Sequence, residues 1–126
     1  MNMNLTQAVW KLILQESIDA IRNNVDKDMP LSAIQILLAM PAKGKISFRE
    51  VERMTNLPHA TCSRGLSVLA GFAKYRQTGL TPLIAFSDDE LDRRSRFAEL
   101  TDEGQASVGK VYSIVSSRLA RASKSE

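Results

Sequence analysis

Between residues 5 and 26 the apolar positions Trp10, Leu14, Ile18, Ile21 and Val25 recur at spacings of four, four, three and four. Val9, Ile13 and Ala20 widen the stripe. That period puts them on one face of a helix, and the face is broad for a helix at the edge of one domain. Pro30 ends the segment, because proline holds the preceding Met29 extended and donates no backbone hydrogen bond. A second helix is predicted over residues 32–42. Ser32 and Gln35 have capping-box spacing, Ile34, Leu37 and Leu38 supply a buried face, and Pro41 stops it.

The same cap spacing recurs at Ser47 and Glu50 and opens a short helix. In it Val51 and Met54 are expected to point inward and Arg49 and Arg53 to lie on another side. Ile46, just before, can form a single rung of strand. Asn56-Leu57-Pro58 breaks this helix, with Leu57 placed to enter the core and Pro58 suited to the first turn of the next helix. That helix, about residues 58–70, turns about 100° per residue. Cys62, Leu66 and Leu69 then gather on one side, and Ala60, Arg64 and Ser67 on the other, flanked by Thr61 and Ser63. The outward face holds small or hydroxyl-bearing groups and one arginine. A helix that enters the DNA major groove needs such a surface, since bulky apolar groups would hold it off the base edges. Residues 47–70 therefore read as a helix-turn-helix.

From Gly71 to Gly79 the helical pattern is lost in a loop that carries Lys74, Tyr75 and Arg76. Two strand-like runs follow, 82–87 and 96–100, separated by a highly charged stretch. The span 82–100 reads as a β-hairpin with a charged tip. Thr101 can cap a last helix, about 101–120, with Asp102 and Glu103 set against the positive end of its dipole. Val108, Val111, Val115 and Leu119 form one more apolar stripe, and residues 123–126 are expected to fray. No repeat, low-complexity stretch or linker divides the chain. The expectation is a single domain over residues 1–126, mainly α with a small β-hairpin.

Charge matters here through its location. The net charge is only +3. Residues 43–76, however, carry seven basic side chains, Lys43, Lys45, Arg49, Arg53, Arg64, Lys74 and Arg76, against two acidic ones, Glu50 and Glu52. Such a local surplus suits contact with a phosphate backbone, although charged residues also simply solvate surfaces. At 126 residues and 44% hydrophobic the chain can bury a modest core. With one cysteine, Cys62, and one histidine, His59, it can form neither an intrachain disulfide nor a Cys/His zinc site. No metal or cofactor is implied. Cys62 and His59 fall on different helix faces, the acidic residues cluster near the hairpin tip, and no Gly-rich phosphate cradle occurs. Catalysis is therefore not expected. No run approaches the roughly 18 apolar residues that span a bilayer, and the start lacks a signal-peptide layout. A soluble, cytoplasmic protein without a membrane partner is expected.

In the order helix, helix, strand, helix, helix, hairpin, helix, three stretches resemble the MarR family of winged-helix transcriptional regulators. The first is Leu31-Ser32-Ala33-Ile34-Gln35 with its downstream leucines. The second runs from Ile46-Ser47-Phe48-Arg49-Glu50 through Leu57-Pro58-His59-Ala60-Thr61-Cys62-Ser63-Arg64. The third is Asp92-Arg93-Arg94-Ser95 followed by Leu100-Thr101-Asp102-Glu103-Gly104. Each is common by chance, but together, in order and spacing, they are specific. The resemblance covers about residues 31–120, and the first helix matches in pattern only. Residues 63–80 form a longer stretch than in a typical member, and residues 88–92 hold one extra residue.

The resemblance implies a winged helix-turn-helix with N- and C-terminal dimerisation helices. It implies a sequence-specific regulator that binds double-stranded DNA, usually to repress, with the recognition helix in the major groove and the wing in the minor groove. Asp92 matches the wing aspartate that orients an arginine, here Arg94, into the minor groove. A narrow groove concentrates negative potential and suits a guanidinium, and Arg93 lies beside it. Together with the outward face of the helix and the basic loop, this gives the candidate DNA-binding set Ala60, Thr61, Ser63, Arg64, Ser67, Lys74, Arg76, Asp92, Arg93 and Arg94. The implied dimer set is Trp10, Leu14, Ile18, Ile21, Val108, Val111, Val115 and Leu119. Members also bind small anionic or aromatic effectors, but no pocket for one can be read from the residues. The competing reading is a winged-helix adaptor that grips a protein with the same face, against which the basic surplus and the tip arginines weigh. At single positions the plainer roles are a surface salt bridge for Arg64, internal ion pairs for Arg93 and Arg94, solvent exposure for His59 and core packing for Cys62.

Overall fold

The computed structural model describes residues 6–71, 82–88 and 96–124. The chain divides into two units, Met1–Asp28 with Ser107–Glu126, and Met29–Ala106.

In the first unit, helix α1 spans Gln7–Asn24. It starts where Thr6, in extended geometry, accepts a hydrogen bond from Val9 N–H at 3.3 Å, satisfying one of the unpaired donors of a helix start. Ile13 and Ala20 are buried, while Trp10, Leu12, Leu14 and Ile18 are exposed. Helix α5 spans Asp102–Lys124; its first turn belongs to the second unit and the rest to the first. It runs past the sequence-based end at 120, and burial of Ala122 explains why the last turn holds. Arg118 Nε donates to Glu16 Oε2 at 2.8 Å, which ties α5 to α1. No described helix is long and apolar enough to cross a membrane.

The second unit places α2 (Leu31–Ala39), β1 (Ile46–Ser47), α3 (Phe48–Thr55), α4 (His59–Leu69), β2 (Ile84–Asp88) and β3 (Arg96–Leu100) around one core. Its largest fully buried side chains are Ile36, Leu66, Leu69, Ile84, Val51 and Cys62. The three strands form an antiparallel sheet in the order β1-β3-β2. Ile84 pairs with Leu100 at one end of the hairpin and Asp88 with Arg96 at the other. The short β1 pairs Ile46 with Ala98 and Ser47 with Phe97. The chain is thus mainly α with a three-stranded wing sheet.

Local chemistry explains the helix-turn-helix. Ser47 Oγ accepts from Glu50 N–H at 3.1 Å and caps α3. The other half of the expected capping box is missing, because the Glu50 carboxylate bonds Arg53 instead. Asn56 ends α3 in the left-handed region at φ 55°, its N–H bonded to Glu52 O at 2.8 Å. Asparagine tolerates that conformation better than most residues. Pro58 stands just before α4, where its missing N–H costs nothing and its carbonyl accepts from Cys62 N–H at 2.9 Å.

Three sequence-based expectations are corrected. The predicted Ser32 cap does not start α2: the helix begins at Leu31 behind Pro30, and no side chain caps it. Leu38 is 60% exposed rather than buried. The buried side of α2 is Ala33, Ile36 and Leu37, and a helix apolar on nearly every side gives periodicity no face to select. Met54 is 53% exposed rather than inward. On α3 the core side runs from Val51 toward half-buried Thr55, four residues on, and not toward Met54, three residues on.

Candidate nucleic-acid interface

Where α4 packs on α2, Gly65 leaves room for the Ile36 side chain. A Cβ at 65 would fall 2.4 Å from Ile36 Cδ1, closer than any real contact. With Cys62, Gly65, Leu66, Val68 and Leu69 turned to the core, the opposite face of α4 is left to solvent. Ala60, Ser63 and Arg64 are exposed there, and Thr61 and Ser67 are half-buried. The five residues expected on the outward face of this helix therefore do share one side. Arg64 Nη2 donates to Thr61 Oγ1 at 3.4 Å, a long bond on the same helix. Arg64 makes no ion pair with a described residue.

The turn into α4 carries a contact that sequence reasoning missed. His59 Nδ1 is hydrogen-bonded to Glu52 Oε1 across the turn, so α3 holds the first residue of α4. The imidazole side chain is otherwise 88% exposed. A spacing of seven residues across a helix break leaves no periodic signal to find it by. On α3, the Arg53 hydrogen bond holds the Glu50 carboxyl below its ordinary range, and the same bond raises the Arg53 guanidinium. Arg53 is thereby largely spent within the protein, while Lys43, Lys45, Arg49 and Arg64 are exposed cations of the basic stretch. The Cys62 thiol is pushed up by burial and secondarily by Glu52, so it stays protonated and packs as a small apolar group.

A second missed feature lies at the wing. Arg96 stacks over both Phe48 and Phe86 and faces Asp88 across the hairpin. The opposite charges of Asp88 and Arg96 in direct register were legible only once the hairpin register was known. Lys74, Tyr75, Arg76, Asp92, Arg93 and Arg94 lie outside the described residues. Of the expected dimer residues, Trp10, Leu14 and Ile18 are exposed, Ile21, Val108, Val115 and Leu119 are half-buried, and Val111 is already buried. Among the described residues no group of three or more His, Cys, Asp or Glu side chains is placed to hold a metal ion.

No protein-family model matches the chain, and no curated protein matches it. Solved structures do. RV1404 from Mycobacterium tuberculosis is 17% identical with a TM-score of 0.72, the match covering 96% of this chain and 81% of that one. The YusO protein from Bacillus subtilis is 20% identical with a TM-score of 0.69, covering 91% and 73% respectively. Sco3205, a MarR family transcriptional regulator from Streptomyces coelicolor solved in complex with DNA, is 17% identical with a TM-score of 0.61, covering 91% and 69%. At these identities the likeness is one of fold, and it joins the capped α3, the turn at Asn56, the solvent-facing α4 and the three-stranded sheet: this chain has the winged helix-turn-helix fold of the MarR-family transcriptional regulators.

Proposed function

We propose that the protein is a sequence-specific, double-stranded DNA-binding transcriptional regulator that acts as a homodimer and represses by occupying promoter DNA. The observation that carries this reading is the outward face of α4, with small or hydroxyl-bearing side chains and one arginine unpaired with any described carboxylate. Major-groove readout needs such a surface: Arg64 can donate two bonds to a guanine, and Thr61 and Ser63 can reach phosphates or base edges, while Ala60 and Ser67 permit close approach. Lys74 and Arg76 would neutralise flanking phosphates. Arg93 and Arg94, oriented by Asp92, would enter the minor groove. The likeness in fold to Sco3205, solved with DNA, supports the same use of this face.

The dimer reading rests on α1. Trp10, Leu14 and Ile18 are 43%, 59% and 57% exposed on one face of α1, an apolar stripe of the kind that marks interaction surfaces. A two-fold pairing that covers this face with half-buried Ile21, Val108, Val115 and Leu119, Val111 being already buried within the chain, would set two recognition helices about 34 Å apart, one turn of DNA. Function is then binding rather than catalysis, in the cytoplasm.

Selection from a random duplex pool tests this. A palindromic site with half-sites about 10 base pairs apart is expected. A pool that enriches no sequence would sink the reading and favour a protein-binding adaptor.

A further inference from the structure

Phe48, Phe86 and Arg96 come from three different elements and meet at one point. Phe48 is the first residue of α3, Phe86 lies in the middle of β2, and Arg96 opens β3. The two rings meet edge to face, with centroids 5.0 Å apart and planes at 69°. The Arg96 guanidinium carbon lies 5.3 Å from the Phe48 centroid and 5.1 Å from that of Phe86. Arg96 Nε faces Asp88 Oδ1 at 3.4 Å. One side chain therefore touches the first helix of the helix-turn-helix and both strands of the hairpin.

The place of this contact gives it a role. Strand β1 supports the hairpin only at Phe97 and Ala98. The Asp88–Arg96 pair is the next rung outward and has no β1 partner. Beyond the β1 ladder, the Arg96 stack joins the Phe48–Phe86 edge-to-face contact in tying the hairpin to α3. A guanidinium sheds water more readily than an ammonium and stacks flat on aromatic faces, so the interaction keeps value at a half-exposed site. The Arg96 side chain is 50% exposed, so its removal leaves no cavity in the core.

We propose that Arg96 is a positioning residue: it latches the hairpin to α3, so that wing and recognition helix meet DNA in one fixed geometry. The inference rests on the DNA-binding reading above. Without the latch, only a fraction of molecules hold the competent geometry, and the apparent affinity falls by that fraction.

The test is a double-mutant cycle of affinity for the selected duplex, using wild type, Arg96→Met, Phe86→Leu and the double variant, with melting followed in parallel. Each single change is expected to weaken binding by up to about fivefold, the ceiling set by a partly exposed cation–π contact of about 1 kcal/mol. The double variant should lose no more than about twofold beyond the weaker single, because both changes break the same latch. The salt dependence of binding should stay as in wild type. Phe48→Leu closes an equivalent cycle if Phe86→Leu fails to fold. Losses that multiply in the double variant, or a log–log salt slope shallower by about 0.9 for Arg96→Met, would make Arg96 an independent phosphate contact and overturn the latch while leaving the DNA reading intact. A wild-type protein that binds no duplex would overturn the DNA reading and the latch with it.

Discussion

Replacing Gly104 with alanine probes the junction where the wing passes into α5. An ideal Cβ at 104 falls 2.1 Å from Leu83 O and 3.0 Å from Leu83 C, with Leu100 Cδ2 at 3.1 Å. Ordinary contact begins at 3.4 Å, so a backbone must shift by more than an ångström. The Leu83 carbonyl is poorly free to move. It accepts Thr101 N–H at 3.0 Å, and Leu83 N–H donates to Leu69 O at 2.8 Å. Thr101 Oγ1 donates to Pro82 O at 2.8 Å and accepts from Gly104 N–H at 3.0 Å. Losing the Thr101–Leu83 bond at a buried site costs about 1–2 kcal/mol. Crowding adds about 1–3 kcal/mol, and the better helix propensity of alanine offsets about 1 kcal/mol. The net is a destabilisation of about 1–4 kcal/mol, with a midpoint of about 2.5 kcal/mol. Gly109, on the same helix, has nothing within 4 Å of an added Cβ, so Gly109→Ala should gain up to about 1 kcal/mol. Urea unfolding followed by circular dichroism at fixed protein concentration reads both. With a slope of about 2 kcal/mol per molar for a chain of this size, the Gly104→Ala midpoint should fall by about 1 M, and that of Gly109→Ala should rise slightly. A Gly104→Ala midpoint at or above that of wild type would refute the reasoning, since the junction would then yield to a methyl group at no cost.

Asn56→Ala should destabilise by about 1 kcal/mol and Asn56→Gly should be close to neutral in the same assay, because Asn56 holds φ 55°; equal losses would show that the side chain and not the backbone matters. Arg64→Ala should weaken binding to the selected duplex about 10-fold to 100-fold, as loss of a bidentate base contact does, with an unchanged melting temperature; unchanged affinity would remove Arg64 from the interface. The Glu50 carboxyl should titrate below its ordinary range by NMR and return to it in Arg53→Ala. Since its folded value is lowered, the pair supports the fold above the ordinary carboxylate range and loses that support as pH falls through the lowered value; an unmoved titration in Arg53→Ala would show that the hydrogen bond is not the cause.

The elements were legible wherever one signal dominated. Ser47 as a cap, the break at Asn56, Thr101 as the start of α5 and the inward side of α4 at Cys62, Leu66 and Leu69 all follow from local chemistry or a clean period, and the structure has them. Legibility failed where several answers satisfied the same pattern. Helix α2 is apolar almost all round, so its face was chosen by Gly65 and Ile36 meeting across two helices, and Leu38 was left outside. In α3, Val51 could pair with Met54 or with Thr55 as its inward neighbour, and only packing decides. The Leu100-Thr101-Asp102-Glu103-Gly104 stretch was visible as a motif, but its cause, a glycine against the Leu83 carbonyl, is a contact across 21 positions of sequence. His59 with Glu52, and Arg96 with Phe48 and Phe86, are likewise invisible until the turn and the hairpin register bring them together. Of the proposed interface, the α4 face rests on described residues, whereas Lys74 and Arg76 rest on the local basic surplus, and Asp92, Arg93 and Arg94 on the charge of the hairpin tip and on resemblance.

The most direct test of DNA binding is the affinity for the selected duplex measured as a function of salt. Arg64 with the flanking lysines and arginines should displace several counterions, so log K should fall linearly against log salt with a slope of about −0.9 for each phosphate contacted, and an unrelated duplex should bind far more weakly at every salt concentration. A flat slope, or equal affinity for both duplexes, would contradict the assignment of this winged helix as a sequence-specific DNA-binding protein.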